Sequence, residues 1–203
     1  SSGGSAIEYT PNMMPAGLTA RLAYSPKVSG SNAGDKASSG IDYSQQNSGY
    51  DVTLQATDEL TGIAGLTLTA GYSEISQDAT MTNYSGDHEE QTLAVTYAAG
   101  GFTVGYQWSN EDMGKSANEQ EYENTGYGIT FNVNDDLSVG YNHYESEQTS
   151  GTNTTAEAST VQLAYSVGGA SIRVAEGSVD NASYNTANQY DRDGTTLSVS
   201  LAF

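Results

Sequence analysis

The sequence predicts an all-β fold, an antiparallel up-and-down sheet, from three observations. Apolar and polar residues alternate in segment after segment, the connections between segments are alternately short and long, and no segment shows helical periodicity. Alternation with a period of two is typical of strands that present one apolar and one polar face. Because nothing in the length of 203 residues demands two domains, residues 1–203 are predicted to form a single domain.

Each predicted strand is an alternating segment, and the last one is the clearest. There Leu197, Val199 and Leu201 interleave with small residues up to the terminal Phe203. The same pattern predicts eleven strands, at residues 5–10, 17–25, 49–57, 65–73, 91–97, 102–109, 125–133, 137–144, 159–166, 170–176 and 195–203. From the second strand to the tenth, the alternating apolar positions are Leu18, Ala20, Leu22 and Tyr24; Tyr50, Val52, Leu54 and Ala56; Leu66, Leu68, Ala70 and Tyr72; Leu93, Val95 and Tyr97; Phe102, Val104, Tyr106 and Trp108; Tyr127, Ile129, Phe131 and Val133; Leu137, Val139 and Tyr141; Val161, Leu163 and Tyr165; and Ile172 and Val174.

The connections between these segments fall into two classes that alternate strictly. The short ones, "PNMMPA", "DELTGIA", "AAGG", "NDD" and "VGG", are rich in residues that favour turns. Tight turns at one rim and long loops at the other are typical of an up-and-down barrel of the outer-membrane type. The long connections are polar and acidic and span residues 26–48, 74–90, 110–124, 145–158 and 177–194.

The composition argues against a core filled with hydrocarbon. Hydrophobic residues make up 36% of the chain, and 25 acidic residues against 6 basic ones give a net charge of −19. This balance also suits a disordered chain, but the regular alternation and the 15 tyrosines argue against disorder. The lack of cysteine excludes disulfides and thiolate metal sites, and no apolar run approaches the 18 residues of a membrane-spanning helix.

The two faces of the predicted strands differ in a way that indicates a membrane. The face opposite the apolar positions carries mostly Gly, Ser, Thr and Ala, rather than the long charged side chains that keep a soluble sheet in solution. A soluble sandwich would also need bulky interior residues from every strand. Since small polar residues suit a wall that lines water, the apolar face is predicted to contact lipid and the fold to be a transmembrane β-barrel.

Aromatic residues give an independent indication, because they gather at both ends of the apolar face. Strands that run toward a long loop carry Tyr or Trp near the loop, and strands that run the other way carry an aromatic residue near the short turn. Such girdles place amphipathic rings at the two membrane interfaces. The predicted girdles contain Tyr24, Tyr72, Tyr106, Trp108 and Tyr141 at the loop rim, and Tyr9, Tyr97, Phe131, Tyr165 and Phe203 at the turn rim.

Charged and amide residues on the polar face are the candidate pore-lining residues. Arg21 and Arg173 stand at mid-strand, and because an arginine facing lipid there would cost about 2–4 kcal/mol, both are predicted to point inward. Fixed charges in a wet lumen impose a field on permeating solutes. A local alternative is that both arginines simply neutralise Glu8, Asp51 or Glu176. The predicted pore-lining set is Arg21, Arg173, Glu8, Asp51, Gln55, Gln107, Asn132 and Asn142.

Three features together resemble the general diffusion porins of bacterial outer membranes: the terminal Phe203 on an alternating strand, the unit "SAIEYTPNMMPAGLTARLAYSP", and the alternation of turns and loops. The resemblance implies a homotrimeric channel for passive diffusion of small hydrophilic solutes and ions, in contact with outer-membrane lipid and lipopolysaccharide. It also implies that Phe203 is an assembly signal for the barrel insertion machinery. Neither a cofactor nor a nucleic-acid partner is implied.

The resemblance also implies a longer barrel. Barrels of this type close on an even number of strands, about sixteen in this family, so N-terminal strands and an inward-folded constriction loop are expected to precede residue 1. The unit at residues 5–26 resembles the segment that directly follows that loop. The alternative is an unrecognised strand within residues 29–47, which would give a complete twelve-stranded barrel.

Most acidic residues lie in the long connections, as in "SGDHEEQ" and "NEDMGKSANEQEYEN". Solvation and mutual repulsion of exposed loops explain this without a function. An acidic vestibule would also concentrate cations and make the channel weakly cation-selective, or bind Ca²⁺ between subunits and lipopolysaccharide. No stretch matches an EF-hand loop, which argues against a calcium site of that kind, so the acidic composition alone supports loop-bound Ca²⁺ and no metal-binding residues are predicted.

Two other functions stay open at this point. A secreted, acidic, β-structured adhesin would share the alternating pattern. A barrel lipid hydrolase would need a lipid-facing nucleophile and base, and His143 and Ser159 lie outward at the loop ends of neighbouring strands. Because no acid is predicted to orient His143, the chain is expected to have no catalytic residues and not to be an enzyme.

Overall fold

The computed structural model describes residues 6–26, 46–77, 86–115, 121–149 and 153–201. These residues form one sheet of eleven antiparallel strands that follow one another in chain order. The predicted all-β, up-and-down fold is therefore confirmed. The strands are β1 (Ile7–Tyr9), β2 (Leu18–Ser25), β3 (Gln46–Ala56), β4 (Leu66–Gln77), β5 (His88–Ala99), β6 (Phe102–Asp112), β7 (Glu121–Asn132), β8 (Leu137–Thr149), β9 (Thr154–Val167), β10 (Ala170–Asp180) and β11 (Arg192–Leu201).

Most strands extend farther toward the long connections than the sequence predicts. β4 continues to Gln77, β8 continues to Thr149, and β9 begins at Thr154. The sequence pattern stops earlier because these positions are mostly polar and the one large apolar residue among them, Ile75, lies on the polar face, whereas the backbone hydrogen bonds between strands need no apolar side chain. The predicted strand ends at residues 144 and 159 are therefore wrong, and the long connections are shorter than expected.

The turn between β3 and β4 contains a short helix, α1 (Asp58–Thr61), that the sequence does not predict. Four residues are too few to show helical periodicity. Gly62 ends the helix with a φ of 73°, and its N–H donates to the Asp58 carbonyl at 2.8 Å. Gly65 follows with a φ of 78°, and a Cβ there would lie 2.0 Å from the Ala98 carbonyl oxygen. Only glycine fits this close approach of two turns.

Apolar side chains share one face of the sheet and are not buried. Pairs such as Leu22 with Val52 and Val139 with Leu163 continue this apolar face from strand to strand, and we call the opposite side the polar face. Thirty large apolar side chains are exposed, and Ala20 and Ile75 are the only buried apolar residues in the described part of the chain. A soluble domain would bury such a face under a second layer. The exposed face therefore calls for an apolar surrounding medium.

Both edges of the sheet are open among the described residues, since β1 pairs with β2 alone and β11 with β10 alone. The predicted ends of the chain, including Phe203, lie outside the described residues. So does the alternative strand within residues 29–47, except for its last two residues, which begin β3. No helix in the described segments is long and apolar enough to cross a membrane.

Candidate functional site

The candidate site is the polar face, and the structure places every predicted pore-lining residue there. Arg21 is opposite Thr53 in the register, and Ala23 lies between Glu8 on one side and Asp51 on the other. The structure thus brings Glu8 and Asp51 into one row. The other predicted residues are spread over the same face at Gln55 of β3, Gln107 of β6, Asn132 of β7, Asn142 of β8 and Arg173 of β10.

The row that holds Glu8 and Asp51 continues with further acids toward the middle of the sheet. Asp51 is opposite Ser73, Ser73 is opposite Glu90, and Glu90 is opposite Glu111. The Ser73 hydroxyl donates to Asp51 Oδ1 at 2.5 Å. We call Glu8, Asp51, Glu90 and Glu111 the polar-face acids. They place four negative charges in one row across six strands, with Ala23 and Ser73 on the two strands between them, and this row attracts cations toward the wall.

Sequence reasoning missed Glu90 and Glu111, because it placed both in long connections. The alternation does continue there: His88, Glu90 and Thr92 point to the polar face, and Glu89 and Gln91 point to the other. The hydrophobic pattern does not reveal this alternation, because the residues on both faces are polar here. A strand register was needed to show that Glu90 and Glu111 face each other.

A histidine lies between these two missed acids. His88 Nε2 is 3.0 Å from Glu111 Oε1 and 3.5 Å from Glu90 Oε1. The His88 side chain is 3% exposed, whereas those of Glu90 and Glu111 are 36% and 30% exposed. A nitrogen and two carboxylates at this spacing are donor groups that a metal ion accepts.

An open groove of about 570 Å³ runs along the acidic part of the polar face. Its walls include Asp51, Glu90 and Glu111, together with the amides of Gln107 and Asn124. Charged and amide groups around a wet groove attract and exchange hydrogen bonds with hydrophilic solutes.

The arginines on the polar face do not form the local pairs considered from the sequence. Within the described residues, neither Arg21 nor Arg173 forms a salt bridge with an acid. Arg173 is instead opposite Ala164 and Ser198. Glu176 points to the other face, where the Thr195 hydroxyl donates to it. Local neutralisation therefore finds no support in the geometry.

The connection after β10 folds back over the polar face. Asn181 Nδ2 donates to the Thr155 carbonyl at 2.9 Å, and the rings of Tyr184 and Tyr122 lie 5.4 Å apart. The Tyr184 hydroxyl is 2.7 Å from the hydroxyl of Ser146, which is only 4% exposed. The backbone is left-handed at Asn181 and Tyr184, with φ of 52° and 57°. Such non-glycine conformations persist only where surrounding contacts hold them.

The predicted girdle residues that the structure describes lie on the apolar face. The hydroxyls of Tyr50 and Tyr72 both donate to Glu74 Oε2, at 2.7 and 2.8 Å, at the loop end of the strands. Near the short turns, the rings of Phe102 and Phe131 stack at 4.2 Å. Exposed on this face are Tyr9, Tyr24, Tyr97, Tyr106, Tyr141 and Tyr165, and Tyr72 and Trp108 are half-buried.

His143 and Ser159, the two residues considered for a hydrolase, are neighbours, but the hydrogen bond that would activate the serine is not formed between them. His143 and Ser159 are directly opposite each other, and His143 Nε2 lies 2.9 Å from Glu145 Oε1, an acid that the sequence did not predict. The Ser159 hydroxyl, however, bonds the Ser178 hydroxyl at 2.9 Å. A serine nucleophile must donate to its base, so this geometry does not activate Ser159.

An antiparallel meander with one exposed apolar face and one polar face defines the class of outer-membrane β-barrel proteins. The chain belongs to the Gram-negative porin family, whose model matches residues 1–202. The family places it in the outer membrane of a bacterium. No curated protein matches it in sequence.

Solved structures show the same fold at low identity. The chain is similar to a porin refined at 1.8 Å resolution, with 14% identity and a TM-score of 0.71 over 100% of this chain and 63% of that one. It is similar to the anion-selective porin from Comamonas acidovorans, with 11% identity, a TM-score of 0.73 and coverage of 99% and 60%. It is also similar to a loop-deletion mutant of OmpT, an outer membrane protein of Vibrio cholerae, with 13% identity, a TM-score of 0.64 and coverage of 97% and 62%. The chain thus spans 60–63% of the length of these neighbours.

Proposed function

We propose that this chain forms the wall of an outer-membrane channel through which small hydrophilic solutes and ions diffuse passively. The observation that carries the proposal is the separation of the sheet into an exposed apolar face and a polar face lined by charged and amide groups. An apolar exterior matches lipid, and a polar interior supplies a path on which solutes keep hydrogen-bonding partners.

The channel prefers cations weakly. The polar-face acids stand in one row across β1 to β6, separated only by Ala23 and Ser73, whereas Arg21 lies on β2 and Arg173 and Arg192 lie on the distant β10 and β11. Clustered charges of one sign raise the local concentration of the opposite ion more than dispersed charges do. Since one structural neighbour is described as anion-selective, the shared fold alone does not set ion preference. The side chains on the wall set it.

Membership of the family supports a proposal for how the complete barrel is built and how its copies associate. We propose that residues 1–203 belong to a single barrel domain of about sixteen strands, that N-terminal strands and a constriction loop complete it, and that three copies associate. Lipid and lipopolysaccharide cover the apolar face, and Phe203 is the signal for the insertion machinery. No organic cofactor takes part, and Ca²⁺ bound by the acidic loops bridges the protein to lipopolysaccharide.

We further propose that the chain has no enzymatic activity, because the Ser159 hydroxyl is bonded to Ser178 rather than to His143. A different observation argues against the adhesin alternative. A soluble surface protein would not leave thirty large apolar side chains exposed.

Reversal potentials across planar bilayers under a KCl gradient test both the channel and its ion preference. The wild-type protein is expected to conduct ohmically with a potential of the cation-selective sign. The variant Asp51→Asn, Glu90→Gln, Glu111→Gln should lower the cation-to-anion permeability ratio by about twofold, because it removes three charges from the wall.

A matched control removes three charges from the opposite face. Glu74, Glu89 and Asp112 are successive neighbours in the register on the apolar-face side. The variant Glu74→Gln, Glu89→Gln, Asp112→Asn should leave the permeability ratio near the wild-type value. Absence of any conductance would contradict the channel, and equal shifts in both triple variants would contradict the role given to the polar-face acids.

A further inference from the structure

His88, Glu90 and Glu111 bring three different donor groups to one point on the polar face. Their donor atoms all lie within 4.8 Å of one another, and no other group of three such residues occurs among the described segments. The two contacts of His88 Nε2 measure 3.0 Å to Glu111 and 3.5 Å to Glu90. The arrangement differs from an exposed acidic cluster because its central group is a buried imidazole.

We propose that these three residues bind a divalent transition-metal cation of the zinc class. A tetrahedral centre with bonds of about 2.0–2.2 Å separates its ligand atoms by about 3.3–3.6 Å. The 3.5 Å contact of His88 with Glu90 lies within that range and the 3.0 Å contact with Glu111 is shorter, so small rotations of the glutamate side chains complete the site. Three protein ligands leave the fourth position to water from the groove.

The charges at this point favour a cation. Glu90 and Glu111 are directly opposite in the register, and like charges in that position destabilise a sheet. An imidazole carries at most one hydrogen on Nε2, so this atom of His88 can donate to only one of the two carboxylates at a time. None of the arginines that the structure describes forms a salt bridge with either glutamate. A metal ion would neutralise both carboxylates at once.

The backbone around the site is held in place before any ion binds. The Gln77 amide nitrogen Nε2 donates to the Met113 carbonyl at 2.8 Å, and the Gln77 N–H donates to Asp87 Oδ1 at 3.0 Å. These bonds tie together the ends of β4, β5 and β6. His88 is also opposite Ile75, and both side chains are buried. A ligand set on tied strands loses little conformational entropy when it binds.

The donor types favour zinc over calcium or magnesium. Calcium takes six to eight oxygen ligands and magnesium a near-octahedral set that keeps several waters, and neither prefers an imidazole nitrogen. Zinc accepts a mixture of histidine and carboxylate with four ligands in all.

Zinc binding would change the wall of the channel. The ion would cancel the charge of Glu90 and Glu111, half of the polar-face acids. This consequence for permeation rests on the proposed channel function, whereas the binding itself does not. Zinc would therefore be expected to lower the cation preference of the open channel.

The binding test is calorimetric titration of Zn²⁺ into the intact protein folded in detergent micelles, in the presence of excess Ca²⁺. The wild type is expected to show saturable binding that His88→Asn weakens by about tenfold or more. The matched control is His143→Asn, which changes the other histidine–glutamate pair on the opposite face. It should leave the affinity unchanged.

A second variant and a second metal probe keep the test valid if His88→Asn prevents the protein from folding. Glu90→Gln with Glu111→Gln removes the carboxylates and keeps the buried imidazole, and Co²⁺ absorption reports ligand geometry directly. Equal Zn²⁺ affinity in the wild type and both site variants, or no saturable binding at all, would overturn the proposal. Binding without any effect of Zn²⁺ on conductance would keep the site and contradict only its role in permeation.

Discussion

Leu163 and Gln162 are neighbours in β9 and point to opposite faces of the sheet. Leu163 is opposite Val139 and Val174 on the apolar face, and Gln162 is opposite Gly140 and Ala175 on the polar face. The medium that each side chain meets therefore differs although the backbone is the same. At this scale, function depends on which of two adjacent positions carries a polar group.

A charge introduced at these two positions should have unequal effects. Leu163→Arg is expected to lower the free energy of unfolding from lipid vesicles by about 2–4 kcal/mol, because it places a guanidinium in hydrocarbon. Gln162→Arg should cost less than about 1 kcal/mol, since its side chain stays in water. Urea titrations of both variants, followed by tryptophan fluorescence, measure the difference. Equal costs would contradict the assignment of faces.

The connection between β10 and β11 is the element that departs most from a plain loop. It contains two short 3-10 turns, Ala182–Tyr184 and Asn188–Tyr190, and the first contacts β9. Tyr184 reaches Tyr122 and Ser146 on the polar face. In the proposed channel, this element would therefore narrow the path of solutes near the long connections.

Removing the side chain of Tyr184 should widen the path that solutes take through the proposed channel. Tyr184→Ala is expected to speed the entry of the larger sugars in a liposome-swelling series by up to about twofold and to leave the smallest sugars unaffected. Tyr190→Ala, in the second turn of the same connection, is the matched control. A swelling series identical for the two variants would show that Tyr184 does not limit permeation.

At the scale of the whole molecule, the apolar face of the sheet is covered by the surrounding lipid or detergent and not by a second layer of the protein. Its sheet has no second layer in the described residues, and its apolar face is exposed from β1 to β11. Backbone groups are satisfied between strands, as a segment in a membrane requires. Stability therefore depends on lipid or detergent as much as on contacts within the chain.

Trp108, the one tryptophan of the chain, reports this environment. It lies on the apolar face opposite Leu93 and Thr125. Its fluorescence should be quenched strongly in vesicles of brominated phospholipid and weakly by aqueous acrylamide, because its ring contacts acyl chains near the interface. Trp108→Phe gives the background signal. Strong quenching by acrylamide alone would place this face in water and contradict the membrane orientation.

Alternation in the sequence was enough to predict most of the fold. Positions such as Leu66, Leu68 and Ala70 identify a strand and its apolar side locally, because successive side chains point to opposite faces. The same period placed Arg21 and Asp51 on the polar side. The signal failed wherever both faces are polar, as at the loop ends of β5 and β8, and in the four residues of α1, which are too few to show a period.

The sequence by itself determined the class of element and the sidedness of each strand, since these depend on local period, and its match to the family model over residues 1–202 established membership of the porin family. Only the tertiary structure decided which residues meet: Glu90 with Glu111 and His88, Tyr184 with Ser146, and Ser159 with Ser178. Those contacts depend on register between strands and on how a connection folds back. Both are set by long-range pairing, which no local pattern encodes.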